Sequence, residues 1–194
     1  MKARFASKQG FTLIELMVTL ALVAILMAIG VPSFTAYQRN AELTSFSNTL
    51  ISGINAARGE AMKRGMNAMV VPKVGNDWNS GWVVFVDVNR SGTYDVNTDI
   101  TVQVREAAPS YLTVSNTGAS AADSVYIRYD AAGYSRLTNG AFGAWTFQVV
   151  RNDVTGSELL NQTRRIKIAS TGRARVCTPK SSIDDDCRAN TTYQ

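Results

Sequence analysis

A long apolar segment lies near the N-terminus of the chain. From Leu16 to Val31 nearly every residue is apolar, and only Thr19 and Gly30 interrupt the run. With the apolar residues at 11, 13 and 14, the stretch reaches about 20 residues, enough for a helix to cross the hydrocarbon core of a bilayer. The pattern predicts a membrane-spanning N-terminal helix, with the rest of the chain outside the membrane.

Helical periodicity continues beyond this segment. Apolar residues recur at spacings of three and four, as on one face of a helix, at Leu43, Phe46, Leu50, Ile54, Ala57 and Ala61. We predict one helix from about Phe11 to about Arg64, roughly 80 Å long, whose first half lies in lipid or a filament core and whose second half packs on the head. Gly30 and Pro32 predict a bend or a melted turn, because proline removes a backbone donor and clashes with the preceding turn.

From Met69 onward the pattern changes to short β-rich runs separated by turn residues. The predicted strands are Trp82–Val88, Ile100–Arg105, Tyr111–Val114, Ser124–Tyr129, Trp145–Val150 and Arg165–Ala169. Stretches rich in Gly, Asn and Ser predict surface loops at Lys73–Gly81, Asn89–Asp99 and Asn116–Asp123. A helix followed by successive strands predicts an α+β fold, with the long helix packed on a small antiparallel β-sheet head.

The residues before the apolar segment are basic. They include Lys2, Arg4 and Lys8 and no acid, an asymmetry that keeps an N-terminus on the cytoplasmic side. After the apolar run, residues 28–30 lead into a continuing helical pattern and not into the cleavage site of a secretory signal. We therefore expect the apolar segment to be retained and the rest of the chain to face outward.

Positive charge is concentrated near the C-terminus. The formal net charge is +5, but the first ten residues supply three of the 20 basic residues. Between 164 and 188 the basic residues are Arg164, Arg165, Lys167, Arg173, Arg175, Lys180 and Arg188, and the acidic ones are Asp184, Asp185 and Asp186. This region is a candidate anion-binding surface, and the alternative is a solvated basic face.

The cysteine and histidine content limits the kinds of site that the protein can form. Cys177 and Cys187 lie close together in an outward-facing domain, where disulfides persist, so a bridge is expected and two free thiols are the alternative. The sequence contains no histidine and no P-loop, which removes the commonest general base and metal ligand and the nucleotide site of a motor ATPase. We expect no enzyme, no metal and no cofactor, with Trp78, Trp82 and Trp145 as core or rim aromatics.

The segment Gly10-Phe11-Thr12-Leu13-Ile14-Glu15-Leu16, between a basic leader and an apolar helix, resembles the type IV prepilin and pseudopilin signature. The resemblance implies that an inner-membrane prepilin peptidase cuts after Gly10 and methylates the new N-terminal amine of Phe11. It implies a leader over residues 1–10, a transmembrane and filament-core helix over 11–38, and a periplasmic head over 39–194 with a C-terminal disulfide loop.

Glu15 is an acid inside the apolar segment. A carboxylate in hydrocarbon costs about 2.5–3.5 kcal/mol even on the lenient insertion scale, so a partner is expected. The resemblance implies that Glu15 pairs with the N-terminal amine of a neighbouring subunit and sets the axial register; the alternative is a side chain that snorkels to the interface. Glu15 and Pro32 are the residues we assign to filament assembly.

Further stretches resemble the FimT/FimU minor pilins and the related GspH pseudopilins: Leu50-x3-Ile54-Asn55-Ala56-Ala57-Arg58-Gly59-Glu60-Ala61, and Gly81–Asn89 followed by Gly92. The family usually has Ser at the position of Gly59, and residues 107–140 resemble nothing we can name. The resemblance implies a minor pilin that primes or caps a type IV pilus; the alternative is a GspH-like minor pseudopilin at the tip of a type II secretion system. Implied partners are major and minor pilins, the prepilin peptidase and the inner-membrane assembly platform.

Gly172-Arg173-Ala174-Arg175 matches the Gly-Arg-x-Arg motif with which FimT-type pilins contact DNA. Two arginines separated by one residue point to the same side of an extended segment, and guanidinium forks suit bidentate phosphate contacts. The resemblance therefore implies double-stranded DNA as a partner for natural transformation, with help from Arg164, Arg165 and Lys167. The alternative is a turn that merely connects two strands, and acids at 184–186 would repel DNA if they folded beside the arginines.

The stretch Asp87-x-Asn89-x-Ser91-Gly92-x2-Asp95 copies the opening of an EF-hand-like calcium loop. Thr98 stands where the loop needs a bidentate glutamate, so calcium affinity would be weak. We interpret the stretch as a glycine-containing turn between two strands, with a calcium site as the alternative.

Overall fold

The computed structural model of the protein describes residues 10–116, 126–182 and 184–189. The leader up to residue 9, the predicted loop Asn116–Asp123 beyond its first residue, and the first two residues of the predicted strand Ser124–Tyr129 lie outside the described residues. Contacts divide the chain into two compact units at Ala41 and Glu42. We describe each unit by itself.

Helix α1 runs from Leu13 to Arg64, which confirms the single long helix predicted from the sequence. Its N-terminal part is long and apolar enough to cross a membrane by length and composition. The helix continues through Gly30 and Pro32, so the predicted melted turn is wrong. A proline removes only one backbone hydrogen bond, which the flanking turns of a long helix absorb.

Within the second unit, Glu42–Gln194, which we call the head unit, α1 presents a buried face to the β-sheets. Its buried residues recur at helical spacing and are Leu43, Ser47, Leu50, Gly53, Ile54, Ala57 and Ala61. A side chain at Gly53 would meet Trp82 Nε1 at 3.0 Å, so the helix lies close to the strand that carries this indole. The face predicted from periodicity is therefore confirmed, except that Phe46 is only partly buried.

Among the described residues, nine strands and a short helix follow α1: β1 (Ala68–Val74), β2 (Asp77–Val86), β3 (Ile100–Arg105), β4 (Leu112–Asn116), β5 (Ile127–Tyr129), β6 (Ser135–Arg136), β7 (Trp145–Arg151), α2 (Glu158–Asn161), β8 (Thr163–Ile168) and β9 (Ala174–Cys177). They form two antiparallel sheets, ordered β3-β2-β1-β5-β6 and β4-β7-β8-β9. A long apolar helix packed on antiparallel sheets is the predicted pilin-like α+β fold, although the head has two sheets and not one.

The region Lys73–Gly81, predicted to be a loop, is instead the end of the β1–β2 hairpin. Val74 pairs with Asp77, so only Gly75 and Asn76 make the turn. This end of the ladder is largely exposed, where polar residues suit a strand as well as a loop. Composition alone therefore could not locate the turn. Strands β1, β6 and β9 were also not among the predicted strands.

Side chains from the helix and both sheets meet in one hydrophobic core. Trp78, Trp82 and Trp145 are all buried in it, as expected for core aromatics. Edge-to-face contacts join Phe46 to Trp82, with ring centroids 5.4 Å apart, and Trp78 to Phe147, at 4.7 Å. The core therefore fixes the second sheet, which carries the basic residues, against the helix.

Candidate nucleic-acid interface

The turn between β8 and β9 contains the Gly-Arg-x-Arg residues. The N–H of Gly172 donates to the carbonyl of Ala169 at 2.8 Å, and the N–H of Ala169 donates to the carbonyl of Arg173 at 2.9 Å. Gly172 has φ +83°, and a Cβ there would lie 1.9 Å from the carbonyl oxygen of Gly133. Any other residue would be strained and would clash with this backbone, so glycine is required for the turn to pack as it does.

Two side chains distant in sequence, Arg58 and Tyr129, brace this turn. The Arg58 guanidinium, on α1, donates from Nε to the Gly133 carbonyl at 3.0 Å and from Nη2 to the Thr171 carbonyl at 3.3 Å. The buried Tyr129 hydroxyl donates to the Gly172 carbonyl at 3.2 Å. Burial raises the pKa of Tyr129, against a smaller opposing effect of the Arg58 charge. The turn is therefore held from the helix and from the first sheet.

Arg173 and Arg175 differ in their exposure and in their hydrogen-bond partners. Arg173 is exposed, and its side chain makes no hydrogen bond or ion pair with any described residue. Arg175 is half-buried on β9, and its Nη2 donates to the carbonyl of Asp186. Of the two, Arg173 is the side chain that is available to an anion.

Arg165 and Lys167 lie on β8 and are not surface groups. Lys167 pairs with Arg175 across the ladder and is only 2% exposed, while Arg165 is 9% exposed. Arg165 donates from Nε to Gln148 Oε1 at 2.9 Å and from Nη1 to the Cys187 carbonyl at 2.5 Å. Burial, and secondarily the charges of Arg175 and Arg165, lower the pKa of Lys167. The expectation that Arg165 and Lys167 help to contact DNA is therefore not supported by their positions.

A C-terminal segment contacts Arg165 through the carbonyl of Cys187, and we call its described residues, 178–182 and 184–189, the strap. Cys177 and Cys187 form the expected disulfide, with their Cα atoms 5.9 Å apart. Within the strap, Asp184 accepts hydrogen bonds from the N–H of Lys180 at 2.9 Å and of Asp186 at 3.1 Å. The carbonyls of Cys187 and Asp186 accept from Arg165 and Arg175, so the acidic part of the strap does fold beside the basic residues.

Arg164 contacts helix α1 and the residues at the start of β8. Its Nη1 donates to the carbonyls of Asn161 at 2.8 Å and Thr163 at 3.0 Å, and its Nη2 donates to Thr44 Oγ1 at 3.3 Å. Burial lowers the pKa of Arg164. These contacts tie the start of β8 to helix α1, and they leave less of Arg164 for an external partner.

The loop of residues 87–99, which resembles the start of a calcium loop in sequence, joins β2 to β3, and these two strands pair as neighbours. The Gly92 N–H donates to Asp87 Oδ2 at 3.1 Å, and the Val88 N–H donates to Asp99 Oδ1 at 3.0 Å. Within the described ranges no cluster of three His, Cys, Asp or Glu residues is placed to hold a metal ion. The geometry is that of a hydrogen-bonded turn, in which carboxylates satisfy backbone donors.

At the N-terminus of α1, Glu15 closes a capping box that sequence reasoning missed. Its Oε2 accepts from the N–H of Thr12 at 2.9 Å and from the Thr12 hydroxyl at 2.8 Å, while the Glu15 N–H donates to the same hydroxyl at 3.3 Å. The Thr-x-x-Glu spacing was the signal that could have revealed it. Thr12 is thus an intramolecular partner for a carboxylate that would otherwise be costly in an apolar setting.

Comparison with known proteins identifies the family. The sequence profile of the family described as Type II transport protein GspH matches residues 47–172, well over half of the chain. The chain belongs to the GspH family. The profile of the prokaryotic N-terminal methylation motif matches residues 6–31 of this GspH-family protein.

Two relatives extend the comparison. The GspH-family chain is 43% identical over 58 residues to Prepilin peptidase-dependent protein D of Escherichia coli K12, a match that spans 30% of this chain and 40% of the relative's length. The fold of this chain is similar to that of the type IV minor pilin FimU of Pseudomonas aeruginosa PAO1, with a TM-score of 0.55 and 20% identity. The match covers 75% of this chain and 98% of FimU. The likeness to FimU shows a shared fold.

Family membership makes the protein a minor pilin or pseudopilin, which is a structural subunit and not an enzyme. The apolar helix and the methylation motif are consistent with an inner-membrane pilin. The match to the GspH family ends at Gly172, one residue before Arg173. The match therefore does not extend to Arg173 and Arg175 and leaves their role open.

Proposed function

We propose that this GspH-family subunit is a minor type IV pilin that primes or caps a pilus and binds double-stranded DNA without sequence preference, for natural transformation. The observation that carries the DNA proposal is the position of Arg173. Its guanidinium group is exposed and has no partner among the described residues, and it follows a braced glycine turn. A cation on a rigid turn contacts a phosphate with little loss of side-chain and loop entropy.

In this proposal Arg173 makes the first phosphate contact and Arg175 the second, after partial release from Asp186. Arg165 and Lys167 hold the strap, and Arg164 joins β8 to the helix. Phosphate contacts carry no base readout, which suits the uptake of any sequence. So few contacts give weak binding, in the micromolar range or weaker at physiological salt.

The test is a titration of labelled duplex DNA with detergent-solubilised full-length protein at several salt concentrations. Each phosphate neutralised contributes about −0.9 to the slope of log affinity against log salt. Arg173→Ala should lower both the affinity and the magnitude of the slope by about one phosphate, and Arg173→Ala/Arg175→Ala by up to two. Lys73→Ala/Arg105→Ala removes the same charge at the far end of the first sheet and should change neither beyond a general charge effect.

Equal binding by wild type and the Arg173→Ala/Arg175→Ala variant would contradict this assignment of the site. Absence of wild-type binding at low salt would contradict DNA binding altogether. In the first case the DNA would lie on another surface. In the second case the protein would act in assembly alone.

For assembly, we propose that the prepilin peptidase cuts between Gly10 and Phe11 at the cytoplasmic face of the inner membrane and that Phe11 is methylated. Support comes from the methylation-motif match over residues 6–31. Before assembly the subunit spans the inner membrane once, with its head in the periplasm, and the assembly platform then joins it to other pilins. Mass spectrometry of the membrane-extracted protein should find N-methylated Phe11, and an intact Met1 in filaments would contradict the proposal.

A second candidate is a minor pseudopilin at the tip of a type II secretion system, without DNA binding. It is favoured by the matching family, which is described as a type II transport protein. The two candidates differ in partners and not in fold. Crosslinking in membranes followed by identification of the partners separates them, because the first expects pilus subunits and the second expects secretion-system subunits.

A further inference from the structure

An exposed aromatic cluster lies on the head, formed by Tyr134, Arg136 and Phe142, and we call it the platform. Tyr134 is 40% and Phe142 54% exposed, whereas the other described aromatic side chains of the head are buried or partly buried. The two rings meet edge to face with centroids 5.4 Å apart. The Arg136 guanidinium carbon lies 4.1 Å from the Phe142 centroid and 5.8 Å from that of Tyr134.

Hydrogen bonds and a β-bridge among neighbouring residues hold the platform in place. Arg136 donates from Nε to Asp130 Oδ2 at 2.6 Å and from Nη1 to the carbonyl of Gly140 at 3.2 Å. Asp130 Oδ1 also accepts from the N–H of Tyr134 at 3.0 Å, and Arg136 forms an isolated β-bridge with Phe142. Rings fixed in this way lose little conformational freedom when a planar ligand stacks on them.

The platform adjoins the Arg173 turn. The N–H of Ser135 donates to the carbonyl of Ser170 at 3.2 Å, at the start of that turn. The Gly133 carbonyl, one residue before Tyr134, is the group against which Gly172 packs. Neighbouring turns thus carry an exposed cation and two exposed aromatic side chains.

We propose that the platform stacks unpaired nucleobases while Arg173 holds the adjoining phosphate, so that the protein binds single-stranded DNA more tightly than a blunt duplex of equal length. This inference rests on the proposed DNA binding and names its preferred substrate. A phosphate backbone complements the charge of Arg173, and an aromatic ring stacks on any base, which keeps binding tolerant of sequence. Paired bases inside a duplex cannot offer their faces to the platform.

The experiment compares two labelled ligands, an oligothymidylate of about 20 nucleotides and a duplex of the same length, each titrated with full-length protein in detergent. Phe142→Leu keeps an apolar side chain without a ring, and Phe142→Tyr keeps the ring. Leu159→Ala removes an exposed apolar side chain elsewhere on the head and serves as the control. Thermal unfolding of each variant verifies that the head is intact.

Phe142→Leu should weaken single-strand binding about tenfold and leave duplex binding unchanged, since one stacked base is lost. Phe142→Tyr and Leu159→Ala should bind both ligands as wild type does. Equal single-strand affinity of Phe142→Leu and wild type would overturn the inference. If Phe142→Leu instead impairs only incorporation into filaments, the platform is a contact between subunits and the inference is likewise overturned.

Failure of the inference differs from failure of the proposed function. Duplex binding that depends on Arg173, combined with single-strand binding that ignores Phe142, removes the platform and leaves the proposed DNA contact standing. Absence of wild-type binding to either ligand removes both.

Discussion

The two parts of helix α1 carry the same kinds of apolar residue and expose them very differently. Before Ala41, Leu26 exposes 69% of its surface, whereas Leu50 in the head unit exposes none. Burial of such a side chain is worth about 1.5–3 kcal/mol, so the first part needs apolar surroundings from a membrane or from other subunits. The second part has them in its own β-sheets. The same residue type therefore serves assembly in one part and folding in the other.

Truncation of a leucine in each part is the strongest test of this difference. Leu50→Ala should lower the free energy of unfolding of the head by about 2–5 kcal/mol, because it removes buried methyl groups and leaves a cavity. Leu26→Ala should leave that free energy unchanged. Urea denaturation of the full chain in detergent, followed by the fluorescence of the three head tryptophans, measures both. Equal effects would show that the two parts do not differ as described.

The disulfide should give the next largest effect, because it constrains the unfolded chain between Cys177 and Cys187. Replacing both cysteines, Cys177→Ser/Cys187→Ser, should lower the free energy of unfolding by about 3 kcal/mol through the greater entropy of the unfolded chain. The same denaturation measures the loss. A thiol titration of the denatured, unreduced wild type should find none, and two reactive thiols would contradict the bridge.

Tyr129→Phe should lower the free energy of unfolding of the head by less than the two preceding changes. It removes the hydrogen bond to Gly172, which is worth about 0.5–1.5 kcal/mol. Because burial raises the pKa of Tyr129, its contribution to stability is complete below about pH 10 and is lost as pH rises toward the folded pKa. Wild-type stability should therefore fall more steeply than that of Tyr129→Phe above about pH 10. Parallel pH profiles would contradict this.

Glu15→Ala should have the smallest effect on the head, with no measurable change in its unfolding, and yet impair incorporation into filaments. The carboxylate is proposed to serve a partner subunit after processing, and the head makes no use of it. Pull-down with other pilus subunits, compared with wild type, measures incorporation. Glu60→Ala, an acid of the head part, is the matched control and should assemble normally; undiminished incorporation of Glu15→Ala would favour the snorkelling alternative.

Features that depend on neighbouring residues in the chain could be predicted. The helix to Arg64, its face around Leu50 and Ile54, and the bridge between Cys177 and Cys187 follow from spacing and cellular compartment. The hairpin at 73–81 could not, since polar residues at an exposed strand end look like a loop. The platform was missed because a single aromatic in sequence does not reveal whether it is buried, and because Tyr134 lies in the region that resembled no family.

By itself the sequence determined the membrane-length helix, the leader motif and the glycine turn at 172, since length, period and turn chemistry are local properties. Only the tertiary structure decided which basic residues remain accessible. In sequence, Lys167 and Arg173 are equivalent cations a few positions apart. Lys167 is buried on β8, which pairs with β9, while the turn leaves Arg173 exposed, because burial depends on what covers a face and not on the residue that occupies it.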